Sequence, residues 1–377
     1  MYKVNKKDMQ LIVNGASFLA SGGGGGVASA NDVITNIISF ADEVTVVEKS
    51  EIKDADELLV ICGVGAPDAP NLNFKNSPVD GLNGLQEMAG KIYTHVLPIE
   101  VGAMNSMIPL LACAKLNIPF VDGDGAGRSV PQMNMCTYAL KKIPTLQTLV
   151  VSEQDKQFPI HPKNAGEMEA SVRKIVSDEL HDAGTVATWT MSGETLKQKN
   201  GFVEGSFSLA KRIGQAMALS SPLDAVQEII QGYYPDNRII MRDAEVIAAT
   251  SKVEDGFDVG TVSLKDTNND GATATLYFVN ETLLATLDRN SVPFCFMMGP
   301  DMICSMGVDG TPMTNSEICS QFKAGKKVNI SLMWVQAVDA IRTPSMFFLY
   351  EKLILEKFGN LRSSHYSFVE EVSHKLT

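Results

Sequence analysis

Two carboxylates and a guanidinium are spaced along one short glycine-rich stretch of the sequence. Asp122 and Asp124 alternate with glycines, and Arg128 follows the second aspartate by four positions. A carboxylate on such a stretch can act as a general base, and an arginine can hold a carbonyl oxygen or keep a neighbouring aspartate ionised. Because unpaired charges are costly to bury, these side chains should pair, face water or contact a ligand. A structural salt bridge within a glycine-rich turn is the alternative interpretation.

A further carboxylate follows another predicted strand. Residues 94–99 form an apolar run typical of a strand, and Glu100 comes directly after it. The run 118–121 is a second such strand, and it ends just before Asp122. Open α/β sheets bind ligands at the carboxyl ends of their strands, although Glu100 could instead cap a helix or form a salt bridge there. The predicted catalytic bases are Glu100, Asp122 and Asp124, and the predicted substrate contacts at this sheet edge are Asn105 and Arg128.

Five consecutive glycines, residues 22–26, separate two predicted helices near the start of the chain, at 8–19 and 27–40. Free backbone N–H groups at a helix start can bind a negative group or a carbonyl oxygen. No Gly-Lys-Ser/Thr closes the run, so it is not a P-loop. The run is therefore interpreted as a cradle for an oxyanion or a ring carbonyl, formed by Gly23, Gly24, Gly25 and Gly26.

The remaining candidates are single residues. Ser192 follows a predicted strand and is a candidate substrate contact, with a polar capping turn as the alternative. The six cysteines are scattered without a CxxC pair, which favours free thiols in a reducing compartment. No metal or cofactor is predicted. A divalent cation is the alternative, because hard cations favour oxygen ligands; its ligands would be Asp122 and Asp124, with Glu100 or Asp68.

The order of predicted elements indicates how these residues are positioned. Up to about residue 165, strands, glycine-rich loops and helices alternate, which is typical of an α/β domain with a mostly parallel sheet. From Arg238 onward, short runs rich in Val, Ile, Thr and Phe indicate a mostly-β barrel or sandwich. The predicted domains are residues 1–167, an α/β domain, and residues 168–377, a mostly-β domain with flanking helices.

Composition excludes several classes of protein. The 377-residue chain has a formal net charge of −12, which argues against nucleic acid and anionic membranes as partners. No uncharged apolar run reaches the roughly 18 residues that would indicate a membrane span. The start of the chain is polar and lacks a signal-peptide core. We therefore expect a cytoplasmic protein that acts on a small molecule and forms a homo-oligomer.

Taken together, the motifs resemble those of the S-methyl thiohydantoin desulfurase family, from about residue 8 to residue 345. That resemblance implies an N-terminal α/β domain followed by a mostly-β domain. One departure lies near the end, where Ile341-Arg-Thr-Pro344 replaces the usual Trp-Arg-Thr-Pro. The motifs that carry the resemblance are Ser21–Gly26, Glu100–Asn105, Pro119–Arg128 with Pro131–Met135, Met191-Ser-Gly and Leu209–Gly214.

The resemblance also implies an activity. Members of the family convert an S-methylated thiohydantoin ring into a hydantoin and release methanethiol, and they are often encoded beside hydantoinase/oxoprolinase proteins. Water would add to the C=N carbon that bears the thioether, and the adduct would expel the thiol. A second hypothesis is a non-catalytic ligand-binding or accessory subunit of a hydantoinase/oxoprolinase partner. The glycine-rich loops suit binding without chemistry equally well.

Overall fold

The computed structural model of the chain describes residues 1–65, 74–180, 183–267, 271–289 and 292–359. An α/β region comes first. Eight of its strands form one sheet, and two short strands pair separately. In chain order the strands are β1 (Tyr2–Asn5), β2 (Glu43–Val47), β3 (Glu57–Gly65), β4 (His95–Pro98), β5 (Phe120–Val121), β6 (Gly123–Asp124), β7 (Thr148–Val151), β8 (Gln157–Ile160), β9 (Ala183–Ser192) and β10 (Val203–Glu204).

The large sheet is mixed, with a parallel centre. Its strand order is β1-β2-β5-β4-β3-β9-β7-β8, and β6 pairs with β10 outside it. The four strands β2, β5, β4 and β3 run parallel, and antiparallel strands extend the sheet at both ends. The α/β class predicted from the sequence is confirmed. Since β9 lies beyond residue 168, the later part of the chain contributes a central strand to this first sheet.

Helices cover the sheet on both faces. Residues 49–51 add a short 3-10 turn. In the sequence, Pro131 suggests the start of a helix that reaches about Lys142, but the structure has only the short helix Thr137–Leu140 there. The helices are α1 (Lys6–Leu19), α2 (Val27–Ile38), α3 (Ser77–Ala89), α4 (Ala103–Leu116), α5 (Thr137–Leu140), α6 (Ala165–Glu179), α7 (Gly193–Lys199), α8 (Ser206–Met217), α9 (Pro222–Gln231), α10 (Asn315–Lys323) and α11 (Pro344–Phe358).

The central strand β3 shows why two helical layers form. Successive side chains of a strand point to opposite faces of the sheet. Leu59 and Ile61 join a core with residues of α1 to α4, while Leu58 and Val60 join a second core with residues of α6. Because β3 is apolar on both faces, it is stable only when both are covered, as the three-layer arrangement provides.

The crossing of α1 and α8 explains the Leu209–Gly214 motif. A Cβ on Gly214 would lie 1.9 Å from the Leu11 carbonyl oxygen, and one on Gly15 would lie 1.8 Å from the Ala210 carbonyl oxygen. Glycine at both positions therefore lets the two helix backbones touch. Helix α1 begins with a capping box, in which Asn5 Oδ1 accepts from the Asp8 N–H at 3.1 Å. The motif thus serves the packing of α8 onto the first layer.

The second region is a half-barrel of seven antiparallel strands. Its longest strand, β11, contains bulges between Val246 and Ala248 and between Ile239 and Ala244, and such bulges bend a sheet. The strand order is β15-β14-β13-β12-β11-β17-β16. These strands are β11 (Asn237–Glu254), β12 (Phe257–Lys265), β13 (Thr273–Val279), β14 (Glu281–Arg289), β15 (Val292–Met298), β16 (Met302–Gly307) and β17 (Asn329–Val335).

The two regions share a hydrophobic core. Ala126 and Val130 of the α/β region pack in one cluster with Val279 and Leu283 of the half-barrel and with Tyr350 of α11. The glycine-rich loops at the strand ends of the first sheet therefore face the half-barrel rather than solvent. Within the described part of the chain, no helix combines the length and apolar character needed to cross a membrane.

Candidate active site

A small cavity lies where the two regions meet. Its volume is about 70 Å³, enough for several waters or part of a small ring, since one water needs roughly 10–15 Å³. The ends of β3 and β4, the start of α4 and the segment 130–133 form most of its wall. Gly24 and Gly25 border it on one side, and Asn280 and Glu281 of the half-barrel border it on another. Ligand sites commonly occur at such region boundaries.

Glu100 is one of two carboxyl groups in this cavity. It lies two residues past the end of β4 and is only 4% exposed. Its Oε1 accepts from Asn105 Nδ2 at 2.7 Å, and its Oε2 accepts from the Val130 N–H at 2.6 Å. Burial raises the pKa of Glu100 to about 7, while these hydrogen bonds and the charge of Arg128 oppose the increase. The carboxyl group is thus able to exchange a proton near neutral pH.

Asn105 fixes Glu100 in place. It lies in the first turn of α4 and lines the cavity. Its Nδ2 donates to Glu100, and its Oδ1 accepts from the Gly63 N–H at 2.7 Å. Both ends of the amide are therefore engaged, and the side chain links the end of β3 to the carboxylate. Asn105 lies beside the predicted base, as the strand-end argument indicated, but its amide positions that base.

Glu281 is the second carboxyl group of the cavity, and the sequence analysis did not identify it. It opens β14 and is 2% exposed. Its Oε1 accepts from the Gly24 N–H at 3.2 Å, while its buried Oε2 has no hydrogen-bond partner. Burial, followed by the nearby charge of Glu100, raises the pKa of Glu281 to about 8. No local signal marks this residue, because a polar residue at the turn of a hairpin is ordinary.

The glycine run allows this close approach. A Cβ on Gly23 would lie 1.9 Å from Glu281 Oε1, and one on Gly24 would lie 2.7 Å from the Gly102 Cα atom. The Gly24 N–H donates to Glu281, and the Gly23 N–H donates to the Ala20 carbonyl oxygen. Of the predicted cradle Gly23–Gly26, Gly24 and Gly25 line the cavity. Gly26 precedes α2 as its N-cap. The run therefore packs strand ends together as well as bordering the cavity.

Asp122 and Asp124 lie outside the cavity wall. Asp122 accepts from Tyr2 Oη at 3.0 Å, from the Ser208 N–H at 3.1 Å and from the Ser208 hydroxyl. Asp124 is fully buried and accepts from the Gly127 N–H at 2.9 and 3.0 Å. Burial raises the pKa of Asp124 to about 7. The structure brings Glu100 to the cavity and leaves these two predicted bases in hydrogen bonds within the protein.

Arg128 joins the two regions. Its guanidinium is fully buried, and Nη1 donates to the carbonyl oxygens of Pro300 and Asp301 at 2.5 and 2.6 Å. Its Nε donates to the Ser129 carbonyl oxygen at 2.7 Å, and its Nη2 has no partner. The ring of Tyr350 lies under the guanidinium, with 5.6 Å between the ring centroid and the Arg128 Cζ atom. Arg128 is absent from the cavity wall, but its charge lowers the pKa of both Glu100 and Glu281.

A guanidinium, from Arg173, and a thiol, from Cys62, also border the cavity. Arg173 of α6 lines it, pairs with Glu169 at 2.9 Å and stacks over Phe257 at 3.9 Å. The sequence analysis did not single out Arg173. Cys62 also lines the cavity, but burial raises the pKa of its thiol well above the ordinary value. The thiol is therefore not a thiolate nucleophile at neutral pH.

Ser192 and the ligands of the metal alternative are the remaining candidates from the sequence. Ser192 ends β9 and caps α7, where its Oγ accepts from the Thr195 N–H at 3.2 Å, and it does not line the cavity. Among the described residues there is no group of three His, Cys, Asp or Glu side chains suited to hold a metal ion. Asp68, a ligand in that alternative, lies outside the described residues.

Two family models match nearly the whole chain. The model described as "S-Me-THD-like, N-terminal domain" matches residues 7–161, and "S-Me-THD-like, C-terminal domain" matches residues 163–347. The chain belongs to this S-Me-THD-like family. The resemblance to the S-methyl thiohydantoin desulfurases drawn from the motifs is thereby confirmed.

One solved structure extends the comparison for this S-Me-THD-like chain. It is the crystal structure of a protein from Chromobacterium violaceum, determined as a structural genomics target. The TM-score is 0.78 at 23% identity, over 96% of this chain and 98% of that one. At this identity the similarity shows the fold alone. No curated protein matches the chain.

Proposed function

We propose that this protein hydrolyses an S-methyl thiohydantoin or a related hydantoin-like heterocycle and releases a thiol. The observation that carries the proposal is the carboxyl group of Glu100, which faces a small cavity and is held there by two donors. Membership of the S-Me-THD-like family supports the choice of substrate class.

The reaction requires one base for water. As the water oxygen bonds to the ring carbon that bears the methylthio group, Glu100 takes a proton from that water. The C=N electron pair moves to the ring nitrogen, which takes a proton from an acidic group of the site, and a tetrahedral adduct forms. When the adduct collapses to a carbonyl, its hydroxyl proton passes back to that acidic group and the C–S bond breaks. The departing thiolate then takes the proton back from Glu100, and methanethiol leaves.

The protonation equilibrium of Glu100 suits this role. A general base is most effective when its pKa is close to the working pH, and burial raises the pKa of Glu100 to about 7. The donors Asn105 Nδ2 and the Val130 N–H fix both carboxylate oxygens, so the group enters the reaction already oriented. Preorganisation of this kind lowers the entropy lost on reaching the transition state.

The apolar part of the wall suits a small ring with a thioether. Ile99, Met104 and Met133 line the cavity beside the two carboxyl groups. Methionine side chains adapt to irregular shapes and make favourable contacts with polarisable groups. Exclusion of bulk water by these side chains would strengthen the hydrogen bonds to the reacting atoms.

The test is turnover of a synthetic S-methyl thiohydantoin, followed by chromatography of the hydantoin product. In Glu100→Gln we expect kcat to fall about 100-fold or more, because the amide cannot accept the proton of water. The matched control is Glu204→Gln, on an exposed glutamate paired with Lys49, which should keep the wild-type rate. Full turnover by a folded Glu100→Gln would contradict the proposal. Binding of the heterocycle by wild-type protein without any turnover would instead support the accessory-subunit alternative.

A further inference from the structure

We infer that Glu281, supplied by the half-barrel, is the general acid that protonates the ring nitrogen while water adds to the ring. This inference rests on the proposed function and adds a second catalytic residue to it. Glu100 and Glu281 then form an acid–base pair whose two members come from different regions of the molecule.

The hairpin between β13 and β14 holds Glu281 in a fixed place. The turn residue Asn280 exchanges two hydrogen bonds with Asp258: its N–H donates to the Asp258 carbonyl oxygen at 2.7 Å, and its Oδ1 accepts from the Asp258 N–H at 2.8 Å. On the other side of Glu281, the Thr282 N–H donates to the Ser21 carbonyl oxygen at 2.8 Å. The backbone is therefore fastened on both sides of Glu281.

The two carboxyl groups differ in their hydrogen bonds. Both oxygens of Glu100 accept from protein donors, and such bonds favour the ionised form. Glu281 has one accepting oxygen, Oε1, while its Oε2 is buried and unpartnered. A buried carboxylate oxygen without a donor is unfavourable, whereas a protonated oxygen is itself a donor for a ligand. The geometry therefore assigns the proton to Glu281 Oε2.

Electrostatics agree with this assignment. Glu281 is surrounded by one carboxyl group, Glu100, by the guanidinium of Arg128 and by the phenol of Tyr350. Two neighbouring carboxyl groups do not readily ionise together, so one of them keeps its proton. Burial and the charge of Glu100 raise the pKa of Glu281 to about 8, above the pKa of about 7 for Glu100.

The proton transfers balance over one cycle. In the addition step, Glu100 takes one proton from water and Glu281 gives its proton to the ring nitrogen. In the collapse step, the hydroxyl proton of the adduct passes to the Glu281 carboxylate as the carbonyl forms. Glu100 gives its proton to the departing sulfur at the same time. Both carboxyl groups return to their starting states, and the net reaction consumes one water and releases one thiol.

The decisive variant is Glu281→Gln. The amide oxygen can still accept from the Gly24 N–H, so the shape of the site is kept while proton transfer is lost. We expect kcat to fall about 100-fold with little change in KM. The alkaline limb of the pH–rate profile, which reports loss of the acid's proton, should disappear. The matched control is Glu245→Gln, a partly exposed glutamate of β11 that should retain both the rate and the limb.

A modified substrate separates the role of Glu281 from a structural one. Methylation of both ring nitrogens gives a cationic ring that needs no proton there, and the hydroxyl proton of its adduct leaves to solvent. Glu281→Gln should recover most of its lost rate on this substrate, whereas Glu100→Gln should stay slow on both. Equal losses by Glu281→Gln on both substrates, or a wild-type rate on the neutral ring, would overturn the inference and leave the proposed function standing. Absence of turnover by wild-type protein would overturn both.

A measurement without substrate checks the protonation directly. The infrared difference spectrum between wild type and Glu281→Gln at pH 7 should show the carbonyl stretch of a protonated carboxyl group. Thermal unfolding of the variant establishes that it is folded. A difference spectrum that shows only an ionised carboxylate would rule out Glu281 as the acid, whatever the kinetics.

Discussion

The 122–128 loop and the cavity both bury carboxyl groups on glycine-rich backbone, yet the surroundings of those groups differ. In the loop, each oxygen of Asp122 and Asp124 accepts a hydrogen bond from the protein. In the cavity, Glu100 faces open volume, and Glu281 keeps one oxygen without a partner. Residue type and burial are therefore common to the loop acids and to the acids of the proposed site. What distinguishes Glu100 and Glu281 is the open volume that they border.

The largest effect is expected on the loop side, from Arg128→Met. The change leaves the buried carbonyl oxygens of Ser129, Pro300 and Asp301 without their charged donor. We expect the free energy of unfolding to fall by about 3–5 kcal/mol, since several buried acceptors lose their partner at once. Urea denaturation measures it, with Arg212→Met, an exposed arginine of α8, as the control. A loss below about 1 kcal/mol would mean that the loop is not the stabilising element described above.

The next effect concerns the cavity and depends on pH. The pKa of Glu281 is raised from its ordinary value of 4.5 to about 8, chiefly by burial. The folded state therefore prefers the protonated form, and its stability falls as pH rises from about 4.5 through about 8. Glu281→Gln removes this loss, so the variant should gain about 4 kcal/mol over wild type between pH 5 and pH 9.

Thermal unfolding across this pH range measures the difference between Glu281→Gln and wild type. Glu245→Gln should show no such trend, because its side chain is partly exposed. Parallel curves for Glu281→Gln and wild type would show that Glu281 is ionised in the folded protein. In that case the difference drawn above between the loop acids and the cavity acids would not hold for Glu281.

Asp124→Ala, in the loop, should lower stability and leave turnover unchanged, which is the reverse of the result expected for Glu281→Gln. Loss of the carboxylate leaves the buried Gly127 N–H unpaired, which should lower the free energy of unfolding by about 1–2 kcal/mol. Turnover per folded molecule should stay at the wild-type level, because Asp124 does not line the cavity. Denaturation and kinetics on the same sample measure both quantities, with the exposed Asp178 as the site of a control Asp178→Ala. A fall in kcat as large as that in Glu100→Gln would restore Asp124 as a catalytic base.

The smallest effect is expected from Asn105→Ala. The change removes one of the two donors to the Glu100 carboxylate, so the pKa of Glu100 should rise further. The acidic limb of the pH–rate profile should move upward by about one pH unit. The rate at pH 6 should then fall about tenfold, with little change on the alkaline side. Asn31→Ala, on an exposed position of α2, is the control. An unchanged acidic limb would show that Glu100 is not the titrating base.

The sequence predicted the part of the site that follows the strand order. Glu100 and Asn105 lie beside the end of β3 because parallel strands deliver their carboxyl ends to one edge. Gly24 and Gly25, which connect α1 to α2, border the same cavity. Glu281 could not be predicted in this way. It contacts Gly24, 257 positions earlier in the chain, through the packing of one region on the other. Nothing in the local sequence of a hairpin turn reports such a contact.

The glycine run shows where a local interpretation was incomplete. Five glycines predict freedom of the backbone, and a binding cradle was one consistent interpretation. The structure adds a steric cause: side chains at positions 23 and 24 would collide with Glu281 and with the Gly102 backbone. Glycine is needed both where two backbones pack closely and where a backbone contacts a ligand, so the residue type alone does not distinguish the two cases. Only the positions of the neighbouring atoms distinguish them.

The placement of β9 between β3 and β7 makes the two parts of the chain depend on each other for folding. A chain divided between β8 and α6 would leave the first fragment with a sheet split at its middle, because the strand that joins the two parts belongs to the second fragment. The second fragment would carry that strand with no neighbours to pair with. We therefore expect neither fragment to fold on its own.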